Sequence, residues 1–290
     1  MRVCLRCAAK IRAENWHCEA CGHAPALIDG FPAFAPQLAV DNDGYDDRYF
    51  EELFQLESGN YWFRARNALL LWALQRYFPA ARDYLEIGCG TGYVLAGVAA
   101  GRPDLRLHAS EISSRGLPFA ASRVPQATLL QMDARAIPFS AHFDIIGMFD
   151  VLEHIEDDRG VLAQAFRALR PGGGLIVTVP QHRFLWSRYD EHAHHVRRYG
   201  GAEIAEKITG AGFKIMMSTS FVSLLLPLML LSRRARPAPV KDYDVLAELR
   251  VGSLTNGLLA AVLACERRLI RCGMRFPAGG SRLLIAQRSA

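Results

Sequence analysis

The sequence lacks any apolar run long enough for a membrane-spanning helix, which needs roughly 18 consecutive apolar residues. The segment Met1-Arg2-Val3-Cys4 also lacks the apolar core of a secretory signal. Positive and negative side chains also nearly balance. The 34 Lys and Arg residues against 29 Asp and Glu leave a formal net charge of +5, well below that of a dedicated nucleic-acid binder. We therefore expect a cytoplasmic protein, with peripheral contact to the inner face of the membrane left open.

The sequence does have enough apolar material for one α/β domain of ordinary size with appendages, because 51% of its 290 residues are hydrophobic. Changes in composition divide the chain, and a polar linker at 41–44 marks the first boundary. The predicted units are a cysteine-rich module at 1–36, helices at 45–80, an alternating core at 81–220, a helical insertion at 221–276 and a final strand at 277–290.

Short apolar runs alternate with helical patterns and predict seven strands. The runs lie at 84–87, 105–109, 128–132, 143–149, 175–179, 214–220 and 282–287. Such alternation is typical of parallel β-α-β units. The fold class is therefore predicted as α/β, with a doubly wound, Rossmann-like sheet of seven strands.

A glycine-rich turn, LEIGCGTG at 85–92, follows the first strand of the core and precedes a helix that we expect to begin near Tyr93. Glycine lets the backbone approach a ligand closely. A dinucleotide-binding turn would need a third glycine at 93, where Tyr93 stands. The spacing of Gly88, Gly90 and Gly92 is G-x-G-x-G instead, which indicates a different ligand.

This turn, with the acidic Glu86 before it, resembles the first motif of the class I S-adenosylmethionine-dependent methyltransferases. Further segments match that family in order: Glu111 after the second strand, Asp133-Ala134 after the third and Asp150 after the fourth. The glycine-rich turn at 169–174, before the fifth strand, is similar to the family as well.

The resemblance implies S-adenosylmethionine as the cofactor. In the family the glycine turn receives the methionine part, the acid after the second strand accepts from the ribose hydroxyls, and the aspartate after the third accepts from the adenine amine. The implied cofactor-binding residues are Glu86, Gly88, Gly90, Gly92, Glu111, Asp133, Ala134 and Asp150.

Histidines near the predicted carboxyl edge of the sheet are candidates for acid-base chemistry. The sulfonium is already an activated electrophile, so alignment of the acceptor is the main task, but a hydroxyl acceptor must also lose a proton. His154 follows the fourth strand, and His195 and Tyr199 lie in a polar segment after the fifth. We predict these three residues as catalytic; the alternative is that the histidines at 192, 194 and 195 hold a loop by hydrogen bonds.

Two C-x-x-C pairs near the start of the chain predict a metal site. Cys4 and Cys7 are separated from Cys18 and Cys21 by ten residues, and four thiolates on two tight turns close a tetrahedral Zn²⁺ site. Because no position stays open, the zinc is predicted to be structural; iron or a redox dithiol is the alternative. The run at 28–32 resembles the zinc ribbons of some bacterial methyltransferases, including a ribosomal RNA guanine methyltransferase family, so RNA is an alternative partner.

The insertion at 221–276 contains two apolar segments. The first, at 221–231, is too short to cross a bilayer and is followed by Arg233 and Arg234. In the second, a helical apolar stripe is predicted at Val251, Leu254, Leu258, Val262, Cys265 and Leu269. These segments either pack on the sheet or on a second subunit of a homodimer, or form a lid over a hydrophobic acceptor or a contact with a membrane surface.

The predicted activity is methyl transfer from S-adenosylmethionine to a small-molecule, glycan or lipid-precursor acceptor, with oxygen favoured as the acceptor atom. The run HVRRY at 195–199 resembles segments of bacterial family members found beside genes for cell-surface glycans and lipids. Two alternatives stay open. One is a ribosomal RNA base methyltransferase that recognises RNA through the ribbon, and the other is a non-catalytic, cofactor-binding interaction protein.

Overall fold

The computed structural model describes residues 1–13, 15–40, 49–234, 246 and 249–289. The strands are β1 (Arg2–Val3), β2 (Lys10–Ile11), β3 (Ala26–Ile28), β4 (Phe31–Ala33), β5 (Asp83–Ile87), β6 (Arg106–Glu111), β7 (Thr128–Gln131), β8 (Phe143–Phe149), β9 (Leu169–Pro180), β10 (Phe213–Phe221) and β11 (Ser281–Arg288). The α-helices are α1 (Tyr49–Leu56), α2 (Tyr61–Tyr77), α3 (Tyr93–Gly101), α4 (Leu117–Arg123), α5 (Asp158–Ala168), α6 (Arg188–His192), α7 (Gly201–Gly210), α8 (Leu226–Arg234) and α9 (Ser253–Arg271). The predicted linker at 41–44 lies outside the described residues.

The main sheet has the strand order β10-β11-β9-β8-β5-β6-β7-β4-β3. Strands β5 to β9 pair in parallel with their neighbours, and β11 runs antiparallel between β9 and β10. All seven predicted strands are present, and the run at 143–149 coincides with β8. The prediction of a doubly wound α/β fold is confirmed. Parallel strands place their carboxyl ends on one edge, where ligands bind in such sheets.

Strands β3 and β4 belong to the cysteine-rich start of the chain and extend the sheet from seven strands to nine. β4 pairs in parallel with β7 at one position, Ala33 opposite Gln131. The Gln131 side chain strengthens this contact, since its amide donates to the Ala35 carbonyl at 2.9 Å and its oxygen accepts from the Ala35 N–H at 3.0 Å. The strand count differs from the prediction because this hairpin docks on the sheet edge.

Trp16 joins the start of the chain to the core beneath the sheet. Its buried ring lies edge-on to Phe34 and Phe139, with ring centroids 4.8 and 5.3 Å apart. The Arg2 guanidinium covers the same ring at 4.7 Å. Truncating a buried aromatic side chain of this kind typically costs about 3–5 kcal/mol. The cysteine-rich segment and the main domain therefore share one apolar core.

Adjacent side chains of the central strands face two different cores. Tyr84 and Leu85 are both fully buried, but Tyr84 packs with residues of α2, α3 and α4, whereas Leu85 packs with residues of α5 and α7. Strands covered by helices on both faces read as continuous apolar runs. For this reason the sequence revealed them clearly.

The apolar stripe predicted for the second segment of the insertion lies on a helix, α9, but only part of it packs on the domain. On α9, Leu254 and Leu258 are 90% and 66% exposed. The buried residues of α9 are Leu259, Leu263, Glu266 and Ile270. Apolar residues at neighbouring positions, such as 258 and 259, offer two helical stripes, and packing on α2 buries one of them. Asn256 fixes this packing, since its side-chain oxygen accepts from the Tyr61 N–H at 2.8 Å.

The first segment of the insertion forms the end of β10 and helix α8. Leu228 and Leu231 of α8 are 53% and 64% exposed. No helix in the part of the chain that the structure describes combines the length and apolarity needed to cross a membrane. Of the insertion, 235–245 and 247–248 lie outside the described residues.

Candidate active site

The three glycines after β5 turn the chain sharply into α3, and each has a positive φ of +52° to +77°. A Cβ on Gly88 would lie 2.6 Å from Val151 Cγ2, and one on Gly92 would lie 2.7 Å from the Ala120 Cα. A Cβ on Gly90 would meet no atom within 4 Å. Gly88 and Gly92 are therefore required by packing, whereas Gly90 borders open space in which a ligand can approach the backbone.

Glu86 lies in β5 and is buried. Its Oε2 accepts a hydrogen bond from the Tyr84 hydroxyl at 2.9 Å. Burial raises the pKa of Glu86 to about 8, although this hydrogen bond and the nearby Arg66 oppose the rise. The carboxyl group is therefore poised to ionise beside a cationic ligand, as the sulfonium cofactor is.

Glu111 ends β6, at the strand end that the sequence predicted. One carboxylate oxygen accepts from the Gly90 N–H at 2.8 Å, and the other accepts from the Ile112 N–H at 2.8 Å. The structure thus brings this acid to the glycine turn, at the position expected for contact with a ribose.

Asp133 and Ala134 follow β7, and Ala134 is buried. The Asp133 carboxylate accepts from the backbone N–H of Arg135 at 2.8 Å and pairs with the Arg135 guanidinium at 2.8 Å. An adenine amine at Asp133 would therefore share this carboxylate with an arginine that is half exposed and able to move aside.

Asp150 follows β8 with a positive φ of +59°. Its carboxylate accepts from the Arg66 guanidinium and from the Thr178 hydroxyl. Arg66 belongs to α2 and also stacks on Trp62 at 4.4 Å. No sequence signal distinguished Arg66 from the other arginines of the chain. The structure shows that it ties the preceding helix to the end of the fourth predicted strand.

Glu153, His154 and His195 form a compact group next to this turn. One potential ligand atom from each lies within 4.8 Å of the others, and the two imidazoles pack edge-on with centroids 4.7 Å apart. Burial, and then repulsion from His195, lower the pKa of His154 to about 3, so this ring stays neutral. The sequence predicted the two histidines but did not single out Glu153, which burial also gives a raised pKa.

Asp190 orients His195. Its Oδ1 lies 2.9 Å from His195 Nδ1 and accepts from Arg198 Nε at 2.7 Å. Burial of Asp190 opposes its ionisation, but the hydrogen bonds from His195 and Arg198 hold the pKa of this carboxyl well below its usual range. A carboxylate on Nδ1 leaves the Nε2 atom of His195 to face a ligand. The hydrogen bond with Asp190 thus orders His195 within the polar segment after the fifth strand, while His192 and His194 of that segment are exposed.

The prediction that Tyr199 faces an acceptor is corrected by its position. Tyr199 is fully buried, and its hydroxyl hydrogen-bonds to the Asp158 carboxylate at 2.8 Å. Lys207 and Arg197 pair with the same carboxylate at 2.5 and 2.6 Å. The Tyr199 hydroxyl thus takes part in a buried network around Asp158 that holds the segment at 195–199 in place. In this structure Tyr199 positions that segment and does not face an acceptor.

The four cysteines of the first 21 residues converge on one point. Sulfur atoms of Cys4 and Cys21 are 3.7 Å apart, those of Cys7 and Cys18 are 3.6 Å apart, and all four lie within 4.8 Å of one another. The two C-x-x-C turns are alike, since the Ala8 N–H donates to the Cys4 carbonyl and the Gly22 N–H donates to the Cys18 carbonyl. This arrangement can hold one tetrahedral ion.

Substitutions at two glycines of the turn separate cofactor binding from folding. Gly90→Asp should keep the free energy of unfolding within about 1 kcal/mol, since the position is open and Asp tolerates positive φ. It should weaken S-adenosylmethionine binding by at least about a hundredfold, because the new carboxylate occupies the ligand space. Gly92→Ala should instead lower the free energy of unfolding by about 1–3 kcal/mol. Urea unfolding measures the free energy of unfolding, and calorimetric titration measures the affinity for S-adenosylmethionine. Wild-type affinity in Gly90→Asp would contradict the assignment of the glycine turn to cofactor binding.

The raised pKa of Glu86 makes the stability of the ligand-free protein depend on pH. Because the folded-state pKa of about 8 exceeds the unfolded value, this group contributes most below the unfolded pKa, and its contribution falls as pH rises toward 8. Glu86→Gln should therefore gain stability relative to the wild type from pH 5 to pH 8, by up to about 1.4 kcal/mol per pH unit. Urea unfolding at four pH values tests this, and a difference independent of pH would refute it.

Comparisons with known proteins agree with this geometry. A family model described as a methyltransferase domain matches residues 55–217. A Mycolicibacterium smegmatis protein named "Probable S-adenosylmethionine-dependent methyltransferase" is 30% identical over 166 residues, which are 55% of this chain and 62% of that protein. A malonyl-[acyl-carrier protein] O-methyltransferase of Hahella chejuensis is 27% identical over 143 residues, which are 46% of this chain and 51% of that protein. The matches thus span less than two thirds of either relative.

Among solved structures, phosphoethanolamine N-methyltransferase 2 of Haemonchus contortus, in complex with S-adenosylmethionine, matches with a TM-score of 0.51 and 21% identity. The match covers 76% of this chain and 52% of that one, and it shows a shared fold. The family model covers more than half of this chain and includes the glycine turn and the strands around it. The chain therefore belongs to the class I S-adenosylmethionine-dependent methyltransferases.

Proposed function

We propose that the protein transfers the methyl group of S-adenosylmethionine to an oxygen atom of a small-molecule acceptor or of a glycan or lipid precursor. The observation that carries this proposal is the group of Glu153, His154 and His195 beside the glycine turn. A hydroxyl acceptor needs its proton removed, and His195 of this group, whose Nδ1 is held by Asp190, supplies an imidazole that can take the proton next to the expected position of the methyl donor. The O-methyltransferase among the relatives supports oxygen as the acceptor atom.

The cofactor would lie along the carboxyl ends of β5, β6 and β7. Glu86 and the open side of Gly90 would contact the methionine part, Glu111 the ribose, and Asp133 with Ala134 the adenine. Asp150, held by Arg66, would border the methionine part from the β8 side. When bound, S-adenosylmethionine supplies the electrophilic methyl carbon, and this chain's residues align the acceptor oxygen with it.

Apolar side chains near the same edge support a hydrophobic or lipid-linked acceptor. β9 ends at Pro180, and the next residues form a turn at 183–185 against which α8 packs. Phe184 and Trp186 are 63% and 38% exposed, and Leu228 of α8 is 53% exposed. Exposed apolar side chains that cluster beside a site indicate a surface for apolar ligands.

The histidine assignment predicts a loss of turnover with retained cofactor binding. His195→Gln should lower kcat on a hydroxyl acceptor by about 10²–10⁴-fold. The affinity for S-adenosylmethionine should change little, because His195 lies outside the glycine turn. The exposed His192, in the same segment, gives the matched control His192→Gln, which should keep wild-type turnover.

Radiolabel transfer from S-adenosylmethionine to a panel of hydroxyl, amine and RNA acceptors measures this, with mass spectrometry locating the new methyl group. A product methylated at nitrogen or carbon, or turnover confined to RNA, would contradict the proposal.

We also propose that Cys4, Cys7, Cys18 and Cys21 hold a structural zinc ion. A tetrahedral ion with Zn–S bonds of about 2.3 Å places its sulfurs about 3.8 Å apart. The Cys7–Cys18 and Cys4–Cys21 sulfur distances, 3.6 and 3.7 Å, fit this value. Four thiolates leave no coordination position open, so the ion would stabilise the ribbon and, through Trp16, the edge of the sheet.

Loss of this zinc should destabilise the whole domain, because the ribbon and the sheet share a core. Cys18→Ser should lower the zinc content by about one ion per chain and the free energy of unfolding by about 3 kcal/mol or more. The exposed Cys265 provides the control Cys265→Ser, which should change neither. Elemental analysis and urea unfolding measure the two quantities. Unchanged stability in a zinc-free variant would show that the ribbon folds and packs without metal.

A further inference from the structure

A second group of metal-ligating side chains lies far along the chain from the cysteines, where β8 ends. We propose that Glu153, His154 and His195 bind a divalent transition-metal ion beside the methyl-donor site. The three residues come from two segments that the fold brings together, the turn after β8 and the segment after α6. Binding of the ion is a property of these residues alone, whereas its role in the reaction rests on the proposed O-methylation.

The donor atoms are close enough to share one ion. One atom from each residue lies within 4.8 Å of the other two. Bonds of about 2.0–2.2 Å from nitrogen and oxygen to a divalent ion place neighbouring donors roughly 3–4 Å apart. Side-chain movements of less than about 1 Å therefore close the site, and the backbone can stay where it is.

The carboxylate of Glu153 points to a missing cation. Glu153 is fully buried, and neither of its oxygens has a hydrogen-bond partner among the described residues. Burying a carboxylate without a partner costs several kcal/mol. The Nδ1 atom of His154 is likewise buried and has no hydrogen-bond partner among the described residues. A cation between the two residues would satisfy both groups at once.

His195 has the second interaction that metal-bound histidines usually make. Its Nδ1 is held by Asp190 at 2.9 Å, and Asp190 is held in turn by Arg198. A carboxylate behind an imidazole fixes the ring and its tautomer, so that the other nitrogen presents its lone pair to the ion. Asp190 is fully buried, which makes this support rigid.

Two imidazoles and one carboxylate suit borderline ions such as Mn²⁺, Fe²⁺ and Zn²⁺ and leave coordination positions open.

In the proposed reaction an acceptor hydroxyl would occupy such a position, and the ion would lower the pKa of that hydroxyl. The hydroxyl proton passes to solvent, the oxygen lone pair forms the bond to the methyl carbon, and the electrons of the broken C–S bond return to sulfur. His195 would then act as a ligand, and its replacement would reduce turnover by loss of the ion.

Manganese binding tests the site without reference to any acceptor. Protein whose four cysteines are filled with zinc is titrated with Mn²⁺, and free Mn²⁺ is followed by its electron paramagnetic resonance signal. We expect one bound Mn²⁺ per chain. Glu153→Gln and His195→Gln should each weaken binding at least about tenfold, and Asp190→Asn by about 10–100-fold. The control is His194→Asn, which changes an exposed histidine of the same segment and keeps a residue that tolerates its positive φ of +54°.

Retained S-adenosylmethionine binding shows that each variant is folded. Absence of Mn²⁺ binding together with a zinc content that saturates at one per chain would overturn the proposal, as would equal Mn²⁺ affinity in the wild type and in Glu153→Gln. If the second metal site does not exist, protein that holds only the cysteine-bound zinc will still methylate the acceptor. Failure of the O-methylation proposal changes the labelled product and leaves the Mn²⁺ stoichiometry as predicted, so the two results are distinguishable.

Discussion

The parallel pairing of β5 with β8 is the constraint on which the site depends. The register sets Ile87 opposite Met148, so the two strands end side by side at the carboxyl edge of the sheet, and the backbone turns after each of them. The turn after β5 then meets the turn after β8, with Val151 packed where a Cβ on Gly88 would lie. A larger residue at position 88 would separate the two turns. The surface expected to receive the cofactor and the group that contains His154 are therefore one packed unit.

Three buried acids near this edge differ in how their charge is compensated. The Asp190 carboxylate contacts His195 and Arg198, accepts from the N–H and hydroxyl of Ser187, and has a lowered pKa, whereas Glu86 has one hydroxyl donor and a pKa raised to about 8. Glu153 has no hydrogen-bond partner among the described residues, and burial raises its pKa as well. Structural carboxylates are normally paired within the fold. The acids without full compensation are the ones whose surroundings a ligand would complete, and both border the expected position of the methyl donor.

The sequence predicted the sheet and the cofactor turn because both depend on short-range patterns. Continuous apolar runs mark strands that are covered on both faces, and G-x-G-x-G with Tyr93 at the next position marks the turn. Features that depend on long-range packing were not predictable. The cysteine-rich segment joins the sheet through the strand pair of Ala33 with Gln131 and through the contact of Trp16 with Phe139, and no local pattern in the sequence predicts either contact. On α9 two apolar stripes were equally plausible from spacing, and only contact with α2 distinguishes them. Tyr199 looked accessible beside its polar neighbours because sequence does not show burial.

Two proposed ion sites in one chain are compatible because their donors differ. Four thiolates are soft ligands in a closed tetrahedron, and such a site takes zinc in preference to Mn²⁺ or Mg²⁺. The group of Glu153, His154 and His195 offers harder donors with open positions, which suits an ion that exchanges its remaining ligands. Their places in the fold agree with this division. The cysteines lie in the segment that packs through Trp16 on Phe139, so an ion there would stabilise that packing, whereas the second group follows β8, next to the turn at which a methyl group would leave the cofactor.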